Sequence, residues 1–513
     1  MSYTIESIAE YIGARRVGEC EATIDWLLTD SRSLSFPEET LFFALATKRN
    51  NGARYIPELY DRGVRNFVVT EKDFKRMESG EWKLEGDLNF LIVANPLKAL
   101  QKLAEAHREN FKIPVIGITG SNGKTIVKEW LHQLLSPDRC IIRSPRSYNS
   151  QIGVPLSVWQ LNEEAELGIF EAGISEMGEM GALKRMIKPT IGILTNIGGA
   201  HQENFFSLQE KCMEKLTLFK DCDVVIYNGD NELISNCVAK SMLTAREIAW
   251  SCKDIERPLY ISKVTKKEDH TVIAYRYLDM DNIFCIPFID DASIENALNC
   301  LAACLYLMTP ADQITERMAR LEPIAMRLEV KEGKNNCVLI NDSYNSDLAS
   351  LDIALDFLVR RSEKKGFKRT LILSDILETG QSTATLYRRV AQLIQSRGIN
   401  KLIGVGAEIS SCAARFEGTP ERYFFPDLQS GCCRILRHIH HREALQSLHH
   451  PFYRILWNYQ AAWSMYPHRF CFPDRNLFRY FRLLMLPLSS GIPFPVQSLP
   501  LQMDLSHSAV PYS

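Results

Sequence analysis

The sequence has no apolar run approaching the ~20 residues that a membrane-spanning helix needs, so nothing in it indicates a membrane span. Its first residues carry an acid early and lack the basic-then-apolar pattern of a secretory signal, and we therefore expect a cytoplasmic protein. The 14 cysteines form no Cys-x-x-Cys pair, so we expect reduced thiols in the core. A net charge of −2 gives no argument for nucleic acid or an anionic membrane surface.

The composition indicates a globular protein, and 513 residues are too many for a single core. We expect three α/β domains at residues 1–105, 106–318 and 319–429, followed by an anomalous tail at 430–513. Between residues 113 and 310, short apolar runs alternate with helical patterns, which predicts a doubly wound parallel sheet. Strands are predicted at residues 41–45, 66–70, 115–118, 167–171, 191–195, 224–227, 337–340, 370–373 and 401–405, and helices at 4–12 and 96–110.

The most informative stretch is Gly-Ile-Thr-Gly-Ser-Asn-Gly-Lys-Thr at residues 117–125. It follows a strand-like run, and after it apolar residues recur along one helical face. A strand, a glycine loop and the beginning of a helix together form a phosphate-binding site. In such a site Lys124 neutralises phosphate and the Thr125 hydroxyl can hold Mg²⁺. The nucleotide-binding residues that we predict here are Gly120, Ser121, Asn122, Gly123, Lys124 and Thr125. The spacing differs from the generic P-loop, which requires glycine where Ile118 stands.

The tail differs in composition from the rest of the chain. Residues 430–513 contain no lysine, eight arginines and three acidic residues, a net charge of +5 against −7 for residues 1–429. Seven of the 11 histidines fall here, and neither a strand nor a helix period persists. A metal-binding tract around His438, His440, His441, His449 and His450 is one interpretation, and a basic arm for an anionic partner is another. We favour a third, that a single-base change has shifted the reading frame.

Four further motifs fall in register with the glycine loop. They are Phe-Glu-Ala-Gly (170–173), Thr-Asn-Ile-Gly-Gly-Ala-His (195–201), Glu-Lys-Leu-Thr-Leu-Phe (214–219) and Asn-Asp-Ser-Tyr-Asn-Ser (341–346). In this order they resemble the Mur ligases of peptidoglycan synthesis, and the resemblance runs from near residue 1 to about residue 428. It implies a three-domain α/β architecture with a central P-loop sheet and a Rossmann-like third domain, here truncated or altered. It also implies an ATP-dependent amide-bond ligase that works through an acyl phosphate.

The resemblance assigns the metal-binding and catalytic residues of the central domain. Thr125, Glu171 and His201 match the ligands of Mg²⁺, and Glu171 ends a predicted strand at the edge where ligands bind. Lys215 matches a lysine that many members carry as a carbamate, a modification that requires an unprotonated, desolvated amine. The catalytic residues implied are Lys124, Lys215 and His201.

The resemblance implies further nucleotide contacts, beyond the phosphates, in the central domain and in the third domain. Asn228, Asp230 and Asn299 match adenine-side positions of the central domain, although Glu295 stands where the family commonly has histidine. Arg327 and Asp342 match residues of the third domain that face ATP, while Tyr344 and Asn345 match the interdomain cleft.

The substrate-binding residues are implied by two polar loops. Ser31 and Arg32 resemble uridine-nucleotide contacts and can bond a diphosphate. Tyr148, Asn149 and Ser150 match a loop that lies near the muramoyl-peptide.

The activity that the resemblance implies joins D-alanyl-D-alanine to UDP-N-acetylmuramoyl-tripeptide, and we expect a monomer. A diamino-acid-adding or folylpolyglutamate-like ligase is an alternative, as is a non-catalytic nucleotide-binding remnant. The family's third domain continues to a Lys-Gly-Ser-Arg-like acceptor segment, and no such segment follows Pro426. In some bacteria such a ligase is fused to an alanine racemase, but nothing in this sequence supports a racemase half.

The frameshift interpretation makes a direct prediction about the coding DNA. Resequencing around codon 429 should reveal a one-base change whose correction restores a Lys-Gly-Ser-Arg-like stretch. A frame confirmed as it stands would contradict this interpretation.

Overall fold

The computed structural model describes residues 2–46, 51–80, 86–198, 204–324, 329–332, 338–342, 348–363, 368–376, 382–427 and 482–486. Within these ranges lie three main β-sheets, each built largely from a different part of the chain. None of the helices described is long and apolar enough to cross a bilayer.

The first sheet has five strands in the order β2-β7-β6-β5-β4, and β2 alone runs antiparallel to its neighbour. The strands of this region are β1 (Tyr3–Thr4), β2 (Arg15–Val17), β3 (Thr23–Ile24), β4 (Trp26–Leu28), β5 (Thr40–Phe43), β6 (Asn66–Val69) and β7 (Asn89–Ile92). Its helices are α1 (Ile5–Ile12), α2 (Ile56–Asp61), α3 (Glu71–Glu78) and α4 (Pro96–Glu109). Helix α1 begins because the Thr4 side chain caps the Ser7 N–H, and it ends at Gly13, whose φ of 67° suits glycine.

The central sheet has nine strands in the order β16-β15-β14-β13-β12-β11-β8-β10-β9. Its strands are β8 (Val115–Thr119), β9 (Ile141–Arg143), β10 (Leu167–Glu171), β11 (Ile191–Leu194), β12 (Val224–Asn228), β13 (Arg246–Ser251), β14 (Leu259–Lys266), β15 (Thr271–Tyr277) and β16 (Met280–Ile286). Its helices are α5 (Lys124–Leu135), α6 (Gly153–Val158), α7 (Glu179–Ile187), α8 (Leu208–Leu216), α9 (Glu232–Lys240), α10 (Asp291–Tyr306) and α11 (Ala311–Met318). Strands β8 to β14 pair in parallel, whereas β15 and β16 form an antiparallel edge that we did not predict.

Helices cover both faces of the central sheet, as a buried parallel sheet requires. Ile116 and Ile118 of β8 lie in one core cluster, with apolar residues of α5 and α10. Val115 and Phe170 lie in a second cluster, with residues of α7 and α8. Alternate side chains of β8 therefore pack into two different cores, and the glycine loop follows the carboxyl end of this strand.

The third sheet has six strands in the order β17-β18-β22-β19-β20-β21. Its strands are β17 (Glu329–Glu332), β18 (Val338–Asn341), β19 (Thr370–Ser374), β20 (Lys401–Val405), β21 (Glu421–Phe425) and β22 (Arg482–Leu486). Its helices are α12 (Leu348–Glu363), α13 (Thr383–Ser396) and α14 (Ala407–Ser411). Strands β19, β20 and β21 are parallel, as in the Rossmann-like unit that the sequence predicted.

Strand β22 comes from the stretch that we assigned to an anomalous tail. It pairs antiparallel with both β18 and β19, and thus lies inside the third sheet. The histidine-rich part of the tail lies outside the described residues. The tail therefore contributes backbone pairing to this sheet, while the frameshift interpretation stays a prediction about the DNA.

The predicted strands and helices are all present, with bounds within two residues of those expected. The cysteines fit the prediction less well. The ten in the described ranges are free, and five of them are buried, but Cys140 and Cys252 are exposed. The prediction that the cysteines lie in the core is therefore wrong for Cys140 and Cys252.

A buried histidine connects the first strand of the chain with the central sheet's helices. His107 of α4 pairs its Nδ1 with the Tyr3 hydroxyl at 2.8 Å and its Nε2 with the Leu161 carbonyl at 3.0 Å. Since the carbonyl can only accept, Nε2 carries the proton and Nδ1 accepts from Tyr3. Burial lowers the pKa of His107 to about 4, so the ring is neutral at physiological pH. His107 therefore has a structural role, since it joins Tyr3 and Leu161 through hydrogen bonds.

Candidate phosphate and metal site

The glycine loop between β8 and α5 lies so close to its neighbours that side chains are excluded at two positions. At Gly120, with φ of 146°, a Cβ atom would lie 1.9 Å from the Thr195 hydroxyl oxygen. At Gly123, with φ of 84°, it would lie 2.3 Å from the Asn296 amide oxygen. Both positions combine a left-handed backbone with close approach, which is why the chain places glycine there.

The segment after β11 holds this loop in place. Asn196 accepts the Ser121 N–H through its backbone oxygen at 2.8 Å and the Asn122 N–H through its side-chain oxygen at 2.9 Å. The Gly198 N–H in turn donates to the Ser121 hydroxyl at 2.8 Å. We expected Ser121 and Asn122 to offer these N–H groups to phosphate, but in this structure Asn196 uses them. Asn196, a polar residue directly after a strand, is a functional residue that we missed.

Three lysine side chains surround the loop. Lys124 and Lys215 both donate to the Gly120 carbonyl, at 2.9 and 3.1 Å. Lys211, one helical turn before Lys215, is buried and donates to the Gly198 carbonyl at 2.8 Å. We did not single out Lys211, although its i, i+4 spacing from Lys215 on a predicted helix was a usable signal. The cluster makes the loop strongly attractive to phosphate.

Lys215 has the environment that a chemically active amine requires. Only 2% of the residue is exposed. Burial holds its pKa well below the ordinary lysine value, and the neighbouring charges of Lys124 and Lys211 lower it further. The amine is therefore biased toward its neutral, nucleophilic form.

Oxygen donors meet at the start of α5. Glu171, at the carboxyl end of β10, is fully buried, and its Oε2 lies 3.2 Å from the Thr125 hydroxyl. The Asn149 amide donates to the same Oε2 at 3.3 Å, and the Ser147 hydroxyl lies 2.9 Å from Thr125. Mg²⁺ prefers such hard oxygen ligands and often takes only one or two carboxylates beside substrate phosphates. The residues present therefore fit Mg²⁺.

Within the described ranges, His, Cys, Asp and Glu side chains nowhere gather in a group of three that could hold a metal ion. A metal site here would therefore depend on phosphate oxygens as well as on Thr125 and Glu171. His201, the other predicted metal ligand, lies outside the described residues.

Of the predicted adenine-side residues, Asn228 and Asp230 lie at the carboxyl end of β12, and Asn299 lies on α10. Asn228 donates to the Glu295 carboxylate at 3.0 Å, and burial raises the pKa of that carboxyl. Asp230 accepts the Cys252 N–H at 2.8 Å. Asn299 is fully buried and accepts from the Trp250 indole at 2.9 Å, so here it supports the wall rather than lining its surface.

The residues predicted from the third domain are only partly described. Asp342, directly after β18, is 8% exposed. Arg327, Tyr344 and Asn345 lie outside the described residues. The structure thus assembles the central-domain half of the predicted site, and the third-domain half stays a prediction.

The predicted substrate residues fall in two groups. Arg32 is exposed and pairs with Asp30 at 2.7 Å, whereas Ser31 is buried in the same short turn. The Asn149 amide contacts Glu171, one of the predicted metal ligands. Tyr148 is 42% exposed beside Asn149, and the Ser150 hydroxyl accepts the Gly153 N–H at 3.1 Å at the start of α6. Asn149 is therefore the substrate-loop residue closest in structure to the predicted metal.

Comparisons with known proteins agree with this geometry. Residues 118–304 match the family model described as the Mur ligase middle domain. The UDP-N-acetylmuramoyl-tripeptide–D-alanyl-D-alanine ligase of Bacillus subtilis is 28% identical over 411 residues, which cover 79% of this chain and 85% of that protein. The Escherichia coli protein of the same name is 24% identical, covering 80% and 87% of the two chains.

Solved structures show the same fold. MurF from Acinetobacter baumannii superposes with a TM-score of 0.71 at 19% identity, over 86% of this chain and 94% of that one. The MurF ligase from Thermotoga maritima, crystallised with ADP, gives a TM-score of 0.64 at 18% identity, over 82% and 92% of the chains. The predicted three-domain α/β fold is confirmed.

The depressed pKa of Lys215 predicts a pH-dependent stability. Between its folded and unfolded pKa values the unfolded chain binds a proton that the folded chain does not, so stability rises with pH across that window. Lys215→Met removes this contribution, so its stability relative to wild type should be higher at pH ~7 than at pH ~10, close to the unfolded-state pKa of lysine. Urea unfolding midpoints in CO₂-free buffer measure this difference. The exposed Lys102→Met serves as the control, and a pH-independent difference for Lys215→Met would contradict the account.

Proposed function

We propose that this homologue of the Mur ligases is an ATP-dependent amide-bond ligase that adds D-alanyl-D-alanine to UDP-N-acetylmuramoyl-tripeptide. The observation that carries the proposal is the convergence of the glycine loop, Thr125, Glu171 and the buried amine of Lys215 within a Mur ligase middle domain. The named relatives, which are matched over most of their length, indicate the same reaction and substrates.

The reaction begins with transfer of the γ-phosphoryl group of ATP to the terminal carboxylate of the tripeptide, giving an acyl phosphate and ADP. The amine of D-alanyl-D-alanine then attacks the carbonyl carbon, and the tetrahedral intermediate expels phosphate to leave the amide. Negative charge accumulates on phosphate oxygens in both steps, so fixed cations supply most of the stabilisation. Lys124 supplies such a cation at the mouth of the loop.

Thr125 and Glu171 are the residues that would hold Mg²⁺, with His201 as a further ligand. When bound, this ion would act as a Lewis acid and template for the transferring phosphoryl group. Asn149 would keep the Glu171 carboxylate oriented through the bond from its amide.

Lys215 is proposed to act as its carbamate. Addition of CO₂ to a neutral amine forms the carbamate and releases one proton, and burial of Lys215 favours that neutral amine. The product is an anion among the ammonium groups of Lys124 and Lys211. Such a carbamate would supply a negative charge that could orient the metal ion and the phosphate.

The other two regions are proposed to bring the remaining substrates. Residues 1–105 would bind the uridine nucleotide, with the exposed guanidinium of Arg32 at the diphosphate and Ser31 in the supporting turn. Residues 148–150 would contact the muramoyl-peptide. The third region, with Arg327, Asp342, Tyr344 and Asn345, would close onto ATP, as sites assembled from two domains usually require. We propose a cytoplasmic monomer.

One observation favours a second candidate function, a nucleotide-binding protein without ligase activity. After Pro426 the sequence lacks the Lys-Gly-Ser-Arg-like acceptor segment that the family resemblance implies. This candidate predicts ATP and UDP-substrate binding with no turnover.

The ligase proposal predicts ADP release that requires both the tripeptide nucleotide and D-alanyl-D-alanine. Lys124→Met should lower kcat by ~10²–10³-fold, because one fixed cation is lost where charge develops. A coupled ADP assay and mass spectrometry of the amide product measure both effects, with the exposed Lys102→Met as the matched control. Stimulation only by a diamino acid would contradict the acceptor assignment, and binding without turnover would favour the second candidate.

A further inference from the structure

Helix α5 carries a buried cation one turn beyond the phosphate loop. Lys128 has no exposed surface, although lysine is almost never fully buried without partners. Its ammonium group lies 2.8 Å from the Ser144 carbonyl, 3.0 Å from Glu129 Oε1 and 3.1 Å from Glu171 Oε1. It also donates to the Arg146 carbonyl. Desolvation of a buried charge is offset only by such close partners, so removal of one partner would leave the others uncompensated.

The two oxygens of Glu171 have different surroundings. Oε1 is buried and accepts no hydrogen bond from any residue that the structure describes, but it forms an ion pair with the Lys128 ammonium group at 3.1 Å, whereas Oε2 accepts from the Thr125 hydroxyl and the Asn149 amide. Only Oε2 therefore lies beside the hydroxyl expected to share the metal ion. The carboxylate cannot rotate to offer both oxygens without breaking the contact with Lys128.

Lys128 also holds the chain that faces this site. The Arg146 carbonyl that it binds belongs to a residue with φ of 50°, a left-handed conformation that is unfavourable for arginine. The next residue, Ser147, places its hydroxyl 2.9 Å from the Thr125 hydroxyl. Glu129, which shares the ammonium group, pairs on its other oxygen with Arg143 at 3.0 Å. The two cations Lys128 and Arg143 thus face the two carboxylates Glu129 and Glu171, and the formal charges of this group sum to zero.

This arrangement bears on the choice of metal ion. Mg²⁺ requires near-octahedral geometry with few protein ligands, whereas Ca²⁺ accepts six to eight oxygens and can bind a carboxylate through one oxygen or through both. A carboxylate with one oxygen held by an ammonium group suits Mg²⁺ and disfavours Ca²⁺.

We propose that Lys128 is a positioning residue that keeps Glu171 a one-oxygen ligand and thereby makes the site selective for Mg²⁺ over Ca²⁺. The inference rests on the proposed function, since that function places the ion at Thr125 and Glu171. Lys128 touches neither nucleotide nor metal in this account and acts through Glu171.

The test measures metal binding rather than turnover. Mn²⁺ is bound to the full chain in the presence of ADP, and electron paramagnetic resonance monitors the bound ion. Mg²⁺ or Ca²⁺ is then added to displace it, and a sample with ADP but no protein is the blank. Wild type should release Mn²⁺ at a lower Mg²⁺ than Ca²⁺ concentration. The Ca²⁺ concentration needed, divided by the Mg²⁺ concentration needed, should be about tenfold lower in Lys128→Met than in wild type. Outer-shell partners change metal affinity on this scale. Lys102→Met should leave the ratio unchanged.

A purely structural role for Lys128 predicts a different result. It would weaken both ions equally and leave the Mg²⁺/Ca²⁺ ratio of the variant unchanged, which overturns the inference but not the proposed function. Absence of ADP-dependent Mn²⁺ binding in wild type would overturn both. Because Lys128→Met can also fail to fold, the wild-type Mg²⁺–ADP complex provides a second measurement. Its crystal structure should show Glu171 bound to the ion through one oxygen, and a carboxylate bound through both oxygens would overturn the inference.

Discussion

The close approach of the glycine loop to the carboxyl end of β11 is the constraint on which the site depends. It requires glycine at position 120, while the approach to Asn296 of α10 requires glycine at position 123, and it lets Asn196 fix the loop through two backbone N–H groups. With the loop fixed, the Gly120 carbonyl becomes the common acceptor for Lys124 and Lys215, two residues that are distant in sequence. The phosphate end of the site is therefore pre-organised by backbone geometry before any ligand arrives.

Opposite charges occupy separate sides of this loop. Lys124, Lys211 and Lys215 lie toward β11 and α8, and their mutual repulsion together with burial favours an unprotonated Lys215. Glu171 lies on the other side, beneath α5, where Lys128 balances its charge. A phosphate bound between the two sides would meet ammonium groups on one flank and a hard oxygen ligand on the other, which is the electrostatic pattern of phosphoryl transfer.

The sequence predicted the parts of this site that local patterns encode. An apolar strand, a glycine loop and a helix face were readable around residues 115–135, and Glu171 was readable as an acid at a strand end. Asn196 and Lys128 were not predicted, because their roles depend on contacts between segments that only the fold brings together, whereas Lys211 was overlooked although its spacing from Lys215 was readable. Lys128 in particular resembles an ordinary helix lysine until its burial and its four oxygen partners are known. The antiparallel β15 and β16 and the pairing of β22 were missed for the same reason, since strand partners lie outside the local sequence.

In the mechanism that we propose, the site activates a carboxylate as an acyl phosphate. Labelling the terminal carboxylate of UDP-N-acetylmuramoyl-tripeptide with ¹⁸O tests it most directly, because the amine must expel the phosphate with one carboxylate oxygen. After ligation with D-alanyl-D-alanine, mass spectrometry of the released inorganic phosphate should show one ¹⁸O atom per molecule. Amide product accompanied by unlabelled phosphate would contradict the claim.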